Sequence, residues 1–363
     1  MKALIAPDKF KGTLTAAVVA SVISDALTRA GIDCEALPMA DGGDGTLDTL
    51  LAHGYSARSV EAVDALGRPC SATVAWRGDE AVVELAQACG MSTVDDLPRD
   101  PWRASSLGLG LAARGAHEAG ARTLVLALGG SASTDGGIGL LQGLGFEVRD
   151  RHGRPVSPDL TGLVAACTVT GQAPTGTWRV LVDVRNPLVG SAGAAAVFGP
   201  QKGLSERECR RASAAMCRWA RVLERAFGVD VSALEGAGAA GGVAAAAAAA
   251  LGAEVAMGAD AISGLIGLRQ RMAGVDVVVT GEGSFDGQSD AGKAPGRVIE
   301  LARELGKPCF VVAGTSDVDE ARWRAMGVGA VVTCAQAAGS DSAARDDASY
   351  WLGVAARTFA ERL

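Results

Sequence analysis

The stretch LALGGSASTDGGIGLLQGLG, residues 126–145, ends an apolar run at two glycines and then leads through a small polar loop into a helical pattern. The loop holds one carboxylate, Asp135, among glycines, serines and a threonine. A chain places bare backbone amides at the end of a strand where something anionic must approach the backbone closely. The stretch therefore predicts a strand, an anion-binding loop and a helix, which together form the repeating unit of an α/β fold.

The same alternation of short apolar runs and helical patterns extends along the chain. The runs are rich in Val, Leu and Ala and are stopped by Gly, Pro or Asp, which is typical of buried parallel strands. They lie at residues 2–7, 123–129, 178–184, 275–281 and 308–314. Helical patterns lie at residues 14–30, 103–119, 204–227, 293–305 and 345–361. This alternation predicts an α/β protein with largely parallel sheets.

A length of 363 residues favours two domains. The runs 71–76 and 81–85 resemble an antiparallel hairpin, so one portion of the chain should differ from the parallel remainder. We expect residues 1–64 and 258–363 to form a Rossmann-like, doubly wound domain with a largely parallel sheet. Residues 65–257 should form a second, inserted α/β domain, with the active site in the cleft between the two.

The composition indicates a globular protein: 48% of residues are hydrophobic, 21% are charged, and the net charge is −7. This acidic balance argues against a nucleic-acid-binding surface. Three isolated histidines and eight cysteines without a C-x-x-C pair favour neither a zinc site nor a histidine triad. We expect a cytoplasmic protein with no membrane or nucleic-acid partner, and the sequence leaves open whether it forms a homo-oligomer.

Acidic side chains recur in the glycine-rich loops that follow the predicted strands. In parallel sheets, the carboxyl ends of the strands are where ligands bind. The acidic residues are Asp41, Asp44, Asp135, Asp183, Glu282 and Asp286, and lysines in similar small-residue contexts are Lys9, Lys11, Lys202 and Lys293. Carboxylates for Mg²⁺, amides and lysines for phosphates, and a spare carboxylate as base are the components of phosphoryl transfer.

Two stretches match nucleotide-binding fingerprints incompletely. GQSDAGKA, residues 287–294, fits the P-loop pattern except that Ala294 replaces the Ser or Thr that binds magnesium. Lys293 should instead stand at a helix N-terminus. GAGAAG, residues 236–241, fits a dinucleotide-binding pattern, but glycines there also suit a close helix contact. The following alanine-rich tract predicts a tightly packed helix, because alanine is the best helix former.

Taken together, the motifs resemble those of the bacterial glycerate kinase family, of the glycerate 2-kinase type, almost from end to end. Six collinear segments carry the resemblance: APDKFKGTL (6–14), LPMADGGDGTLD (37–48), LALGGSASTDGG (126–137), DVRNPLVGSAGAAAVFGPQKG (183–203), GAGAAGG (236–242) and TGEGSFDGQSDAGKAP (280–295). Two departures are Lys9, where the family usually has Ser, and Ser133–Thr134, where it usually has Thr-Asn. These make the roles of those positions open.

The resemblance implies a two-domain α/β kinase that uses ATP and Mg²⁺ to phosphorylate D-glycerate. We expect the catalytic carboxylates to be Asp183, Asp286 and Asp135, without a ranking among them, and the metal ligands to be Asp44 and Glu282. Substrate and phosphate contacts are expected from Asp8, Lys9, Lys11, Asp41, Gly129, Gly130, Ser131, Ser133, Thr134, Asn186, Lys202 and Lys293. The expected product is 2-phosphoglycerate, and the alternatives are a 3-phosphoglycerate-forming kinase, an NAD(P)-dependent oxidoreductase and a ligand-sensing module.

Overall fold

The computed structural model describes residues 1–286 and 293–360. The chain is an α/β protein that divides into two compact units. Unit 1 comprises Met1–Asp41 and Gly258–Leu363, and unit 2 comprises Gly42–Met257. The first boundary therefore lies after Asp41 and not near residue 64 as expected. The physical reason is that residues 56–63 pair along their whole length with a strand of unit 2.

The described residues form fifteen strands, numbered here in chain order. They are β1 (Lys2–Ile5), β2 (Asp33–Ala36), β3 (Ser56–Val63), β4 (Pro69–Arg77), β5 (Glu80–Glu84), β6 (Thr123–Ala127), β7 (Glu147–Arg149), β8 (Thr168–Thr170), β9 (Thr177–Val182), β10 (Glu254–Met257), β11 (Val277–Thr280), β12 (Ser284–Phe285), β13 (Cys309–Ala313), β14 (Thr315–Ser316) and β15 (Val328–Thr333).

Sixteen α-helices lie in the same described ranges. They are α1 (Ala16–Arg29), α2 (Thr46–Ala52), α3 (Ala86–Cys89), α4 (Leu107–Glu118), α5 (Ile138–Gly143), α6 (Leu160–Ala165), α7 (Ala194–Phe198), α8 (Glu206–Phe227), α9 (Ala239–Leu251), α10 (Gly258–Leu265), α11 (Leu268–Ala273), α12 (Ala294–Glu304), α13 (Glu320–Ala325), α14 (Cys334–Ala338), α15 (Asp341–Asp346) and α16 (Ala348–Ala360). Short 3₁₀ turns lie at Met91–Val94 and Pro200–Lys202.

Unit 1 is built on a five-stranded sheet of order β2-β1-β11-β13-β15. Every neighbouring pair in it is parallel. If only the five strands of this sheet are numbered in chain order, the sheet order is 2-1-3-4-5. This is a doubly wound sheet whose topological switch point lies between β1 and β11. Ligands bind outside the carboxyl ends of strands at such a point, so the residues that follow β1 and β11 are candidates for a site.

Unit 2 contains a six-stranded mixed sheet of order β10-β9-β6-β5-β4-β3. β3, β4 and β5 form an antiparallel meander, and β5, β6, β9 and β10 are parallel to one another. The carboxyl ends of β5, β6 and β9 therefore meet at one edge of the sheet. The β4–β5 hairpin is the antiparallel portion that the sequence predicted.

Two helices, α8 and α9, contribute many residues to the core of unit 2. Every residue of α9 is buried, and the segment is kinked at residues 240–242, where φ is positive, so the packed helix that was predicted is the alanine-rich tract at residues 243–251. α8 is amphipathic and begins with a capping box, in which Ser205 and Glu208 each accept a hydrogen bond from the other's backbone. Such a cap contributes about 1 kcal/mol. Among the residues that the structure describes, no helix has the length and apolar character that crossing a bilayer requires.

Candidate functional site

The loop between β6 and α5, residues 128–137 and here called the glycine loop, packs closely against residues 42–44 of the same unit. A Cβ at Gly129 would lie 2.2 Å from the Cα of Gly43, so no side chain fits there. Asp44 is exposed beside this contact, and a Cβ at Gly130 would lie 3.8 Å from the Asp44 Cβ. The backbone approach that the sequence predicted for an external anion is made here by another segment of the chain.

Asp135 lies at the centre of the glycine loop and is fully buried. Its Oδ2 accepts hydrogen bonds from the backbone N–H of Ser106 at 2.8 Å, from the Ser106 hydroxyl at 2.7 Å and from the Gly139 N–H at 3.3 Å. Its Oδ1 accepts one from the Gly137 N–H at 3.2 Å. Burial raises the pKa of this carboxyl, and the hydrogen bonds from Ser106 oppose that rise. Four hydrogen bonds from the protein thus hold the Asp135 carboxylate in one orientation within the loop.

Two further contacts hold the glycine loop from the opposite side. The Trp219 Nε1–H of α8 donates to the carbonyl of Gly136 at 2.8 Å, and the Gly136 N–H donates to the carbonyl of Gly241 at 2.9 Å. Gly241 has a φ of +67°, and a Cβ there would lie 2.4 Å from the carbonyl oxygen of Ser133. The glycine pattern at residues 236–241 therefore serves close packing, which was the alternative to a dinucleotide-binding loop.

Lys202 is a buried cation next to the glycine loop. Its ammonium donates to the Ser131 hydroxyl at 2.7 Å and to the carbonyl oxygen of Ser133. Burial lowers the pKa of Lys202 to about 8, and the negative charge of Asp135 opposes that shift. An ammonium has three N–H donors, of which these two bonds use two. The arrangement suits an anionic ligand.

Two hydroxyl groups of the glycine loop are buried without a hydrogen-bond partner among the described residues. They are Ser133 Oγ and Thr134 Oγ1, and both side chains are at most 1% exposed. Leaving a buried polar group unpaired costs roughly 1–3 kcal/mol. Buried polar groups without partners are rare in native proteins, so these two point to a ligand or to bound water.

The loop that precedes α2 is held by a carboxylate from the end of β5. Glu84 is buried, and it accepts hydrogen bonds from the backbone N–H of Gly45 at 3.1 Å and of Leu47 at 2.7 Å. These are donors at the N-terminus of α2 that have no partner within the helix. Glu84 thus fixes the backbone on both sides of the helix start, next to Asp44.

Asp183 and Asn186 follow β9, the next parallel strand of the sheet. Asp183 is half-buried directly after the strand. The side-chain amide of Asn186 donates to the carbonyl of Ala192 at 2.8 Å, and the backbone carbonyl of Asn186 accepts from the Gly238 N–H at 2.9 Å. Asn186 therefore shapes its own loop, while Asp183 stands at the sheet edge where ligands bind.

Unit 1 carries a separate cluster of carboxylates, formed by Asp8 after β1, Glu282 after β11 and Asp41 after β2. Asp8 is buried, and its Oδ1 accepts a hydrogen bond from the Lys9 N–H at 2.7 Å. Burial, the charge of Asp41 and, more weakly, the charge of Glu282 raise the pKa of Asp8 to about 8, and Lys9 opposes the rise. The cluster therefore lies at the switch point of the sheet and concentrates negative charge.

The other predicted residues of unit 1 lie around its loops. Lys11 is exposed, and its backbone N lies 3.3 Å from where a Cβ at Gly283 would be. Asp286 is half-buried after β12. Lys293 is the N-cap residue of α12, with Pro295 in the first turn, as predicted. The remainder of the P-loop-like stretch, residues 287–292, lies outside the described residues.

Sequence reasoning missed three residues that build the site in unit 2: Ser106, Glu84 and Trp219. A signal existed for two of them. Ser106 directly precedes the observed helix α4, at the N-cap position that Ser favours, and Glu84 is a charge inside an apolar strand. Nothing local marked Trp219, because its partner Gly136 lies 83 residues away.

Comparison with known proteins gives consistent matches. The sequence matches the model of the glycerate kinase family over residues 3–363. It is 35% identical to glycerate 2-kinase of Escherichia coli over 339 residues, which cover 88% of this chain and 87% of that protein. It is 34% identical to glycerate kinase of Bacillus subtilis over 330 residues, which cover 88% and 86%. A crystal structure from Salmonella typhimurium LT2 with the provisional name glycerate kinase 2 superposes with a TM-score of 0.83, at 34% identity and covering 100% and 98% of the two chains.

Proposed function

Since this chain belongs to the glycerate kinase family, we propose that it transfers the γ-phosphoryl group of ATP to D-glycerate and that the product is 2-phosphoglycerate. The relatives named glycerate kinase support the reaction class. The structural observation that carries the proposal is the cluster of Asp8, Asp41 and Glu282 beside Lys9, at the switch point of the unit 1 sheet. Phosphoryl transfer needs such groups to position the phosphates and neutralise their charge.

The carboxylate cluster fits a magnesium ion. Burial and then repulsion from Asp41 and Glu282 raise the pKa of Asp8, and a divalent cation would offset both by stabilising the ionised carboxylate. Within the described ranges, no group of three or more His, Cys, Asp or Glu side chains is arranged as a complete metal site. Mg²⁺ is usually held by one or two carboxylates together with substrate phosphates and water. Glu282 and Asp8 would hold the ion, and Asp44 is the corresponding candidate in unit 2. When bound, Mg²⁺ neutralises developing charge on the phosphates.

Asp183 and Asp286 are the candidates for accepting the proton of the reacting glycerate hydroxyl. Each is half-buried and follows a strand, so each combines partial solvent access with a fixed backbone. A general base must come within hydrogen-bond reach of the proton that it removes. Asp135 is the weaker candidate, because four hydrogen bonds from the protein occupy its carboxylate.

Anion binding is assigned to Lys202 with Ser131 in unit 2, and to Lys9, Lys11 and Lys293 in unit 1. Lys293 combines its own charge with the N-terminus of the eleven-residue helix α12. Ser133 and Thr134 contribute hydroxyl groups that have no partner among the described residues. These assignments agree with two anionic substrates, a nucleotide and an organic acid.

The proposed location is the cytoplasm. All eight cysteines are free, and burial raises the pKa of the Cys89, Cys309 and Cys334 thiols to about 12. Such thiols are unreactive core residues. Disulfides are rare in the reducing cytosol.

A coupled assay tests donor, acceptor and product together. Enolase consumes 2-phosphoglycerate directly, so ATP, Mg²⁺ and D-glycerate should give a signal when no phosphoglycerate mutase is present. A signal that requires added mutase would mean 3-phosphoglycerate, and the proposed product would be wrong while the kinase reaction stands. No signal under either condition would contradict the kinase proposal itself.

A further inference from the structure

Unit 2 contains a cavity of about 340 Å³ next to the glycine loop. One wall is the 3₁₀ turn at Met91–Val94 with the loop that follows it, and another is formed by Ala104 and Ala132. The Lys202 side chain lines the cavity beside Ala132, which is the residue between Ser131 and Ser133. The cavity therefore adjoins the buried cation and the loop to which that cation donates.

The cavity is larger than glycerate, the proposed phosphoryl acceptor, requires. Pockets that hold drug-sized ligands measure roughly 300–1,000 Å³, and the cavity falls at the lower end of that range. Glycerate, with a three-carbon skeleton, would leave most of this volume empty. A nucleoside, with a base and a ribose, is within the size range of ligands that such pockets hold.

The lining also favours a flat aromatic group over a small acid. Leu66, Met91, Val94 and Ala104 provide apolar surface of the kind that packs against a nucleobase. Asp95 and Asp100 also line the cavity, and carboxylates are hydrogen-bond acceptors without donors. They suit the amino group of adenine or the hydroxyls of ribose, and the cations Arg99 and Lys202 line the same cavity.

The wall formed by the Met91–Val94 turn and the loop after it is held in place by an ion pair that lies outside the cavity. The Arg68 guanidinium donates to both carboxylate oxygens of Asp96, at 2.7 and 3.0 Å, and to the carbonyl of Thr93 at 2.9 Å. Arg68 also pairs with Asp64 in the β3–β4 turn. Bidentate pairing of this kind fixes geometry more than it adds stability. The turn at residues 91–96 is thus tied to the sheet before any ligand binds.

We propose that this cavity binds the adenine and ribose of the nucleotide, with Lys202 and the glycine loop on the side of the phosphates. The inference rests on the proposed function in one respect, that a nucleotide is a substrate. It adds the site of the nucleoside and removes glycerate from this part of unit 2.

The test is calorimetric titration of the full chain with adenosine, ADP and tripolyphosphate, for the wild type and Ser92→Trp. Ser92 lines the cavity and is exposed, so a Trp there can occupy the cavity without replacing a core residue. Ser21→Trp, the same change at an exposed position of α1, is the matched control. Ser92→Trp should lower the affinity for adenosine and for ADP by ~10-fold or more, which corresponds to a loss of about 1.4 kcal/mol in binding free energy. It should leave tripolyphosphate unchanged, and the control should bind all three ligands normally.

The inference would be overturned if Ser92→Trp bound ADP as tightly as the wild type does, or if the Ser21→Trp control bound it equally weakly. It would also be overturned if Ser92→Trp raised the KM for glycerate and left the KM for ATP unchanged. Failure of the proposed function gives a different result. If the wild type transferred no phosphoryl group to glycerate but bound adenosine in a manner that Ser92→Trp abolished, the cavity assignment would stand and the kinase proposal would not.

Discussion

The Lys202 Nζ lies 2.7 Å from the Ser131 Oγ, which joins the end of the Pro200–Lys202 turn to the glycine loop 71 residues earlier. Both side chains are buried. The ammonium bonds to a hydroxyl and a carbonyl, and Asp135 contributes through its charge without a hydrogen bond to it. Burying a cation costs stability unless hydrogen bonds or an anion compensate for the lost hydration.

The cost of burying Lys202 predicts a pH dependence of stability. Its pKa in the folded protein is about 8, below the ordinary value of 10.5, because burial disfavours the charged form. Between these two values the unfolded chain binds more protons than the folded chain, so this lysine makes the free energy of unfolding rise as the pH rises from about 8 to about 10.5. Urea denaturation across this range should show a steeper rise for the wild type than for Lys202→Met. Parallel curves would contradict the prediction.

Asp135→Asn should destabilise the fold by about 1–3 kcal/mol, because the amide nitrogen cannot accept the backbone and hydroxyl hydrogen bonds that now reach the carboxylate. Ser106→Ala removes one of the same bonds, so the two changes should be less than additive in the double variant. Urea denaturation measures both. A large loss of kcat in Asp135→Asn with unchanged stability would return this residue to a catalytic role.

Much of the architecture was predictable because its signals are local. α8 is predicted from residues 204–227 and observed at Glu206–Phe227, since a capping box and helical periodicity both lie within the segment. β6 (Thr123–Ala127) is shorter than the predicted strand at residues 123–129, and the loop that follows it begins one residue before the glycines. β3 was not predicted, because most of its residues are exposed and its sequence SARSVEAV lacks a buried apolar run.

The site was less predictable because its contacts are distant in sequence. Which residues follow strands could be inferred, and this located the carboxylates of unit 1 and the glycine loop. The roles within that loop depend on partners such as Ser106 and Gly241, and no local pattern shows that Asp135 would be enclosed by them. For the same reason, the sequence alone does not show that the carboxylate of this glycine-rich loop is enclosed by donors of the protein.

Thr134→Val should separate function from stability. The two side chains have the same shape, and the hydroxyl has no partner among the described residues, so its removal should leave the free energy of unfolding unchanged or raise it by up to about 1 kcal/mol. If a substrate uses this hydroxyl, the KM for ATP or glycerate should rise. Thr358→Val on α16 is the control and should leave both KM values unchanged. Clear destabilisation of Thr134→Val with normal kinetics would show that the hydroxyl has a structural partner.

Asp8→Asn and Glu282→Gln should each raise the Mg²⁺ concentration needed for half-maximal activity by ~10-fold or more, since each removes a charged ligand while keeping the size of the side chain. Asp25→Asn, at an exposed position of α1, should leave it unchanged. The measurement is a titration of phosphoryl transfer with Mg²⁺ at fixed ATP. If both variants lost turnover with no change in the Mg²⁺ requirement, the cluster would act on the substrate and not on the metal.

Lys293→Ala should raise the KM for ATP or glycerate, or lower turnover, by ~10-fold or more, because a hydrogen bond to a charged group contributes roughly 1.5–3 kcal/mol. Lys293 is only half-buried and precedes the first turn of α12, where the helix N-terminus adds its own attraction for an anion. Arg303→Ala, which removes an exposed cation from the last turn of the same helix, controls for loss of positive charge on α12. The effect should also shrink at high salt, because a charge that is partly open to solvent is screened. Equal kinetics in the two variants would mean that Lys293 is an ordinary solvated lysine at a helix start, and the anion site of unit 1 would then have to be built from Lys9 and Lys11.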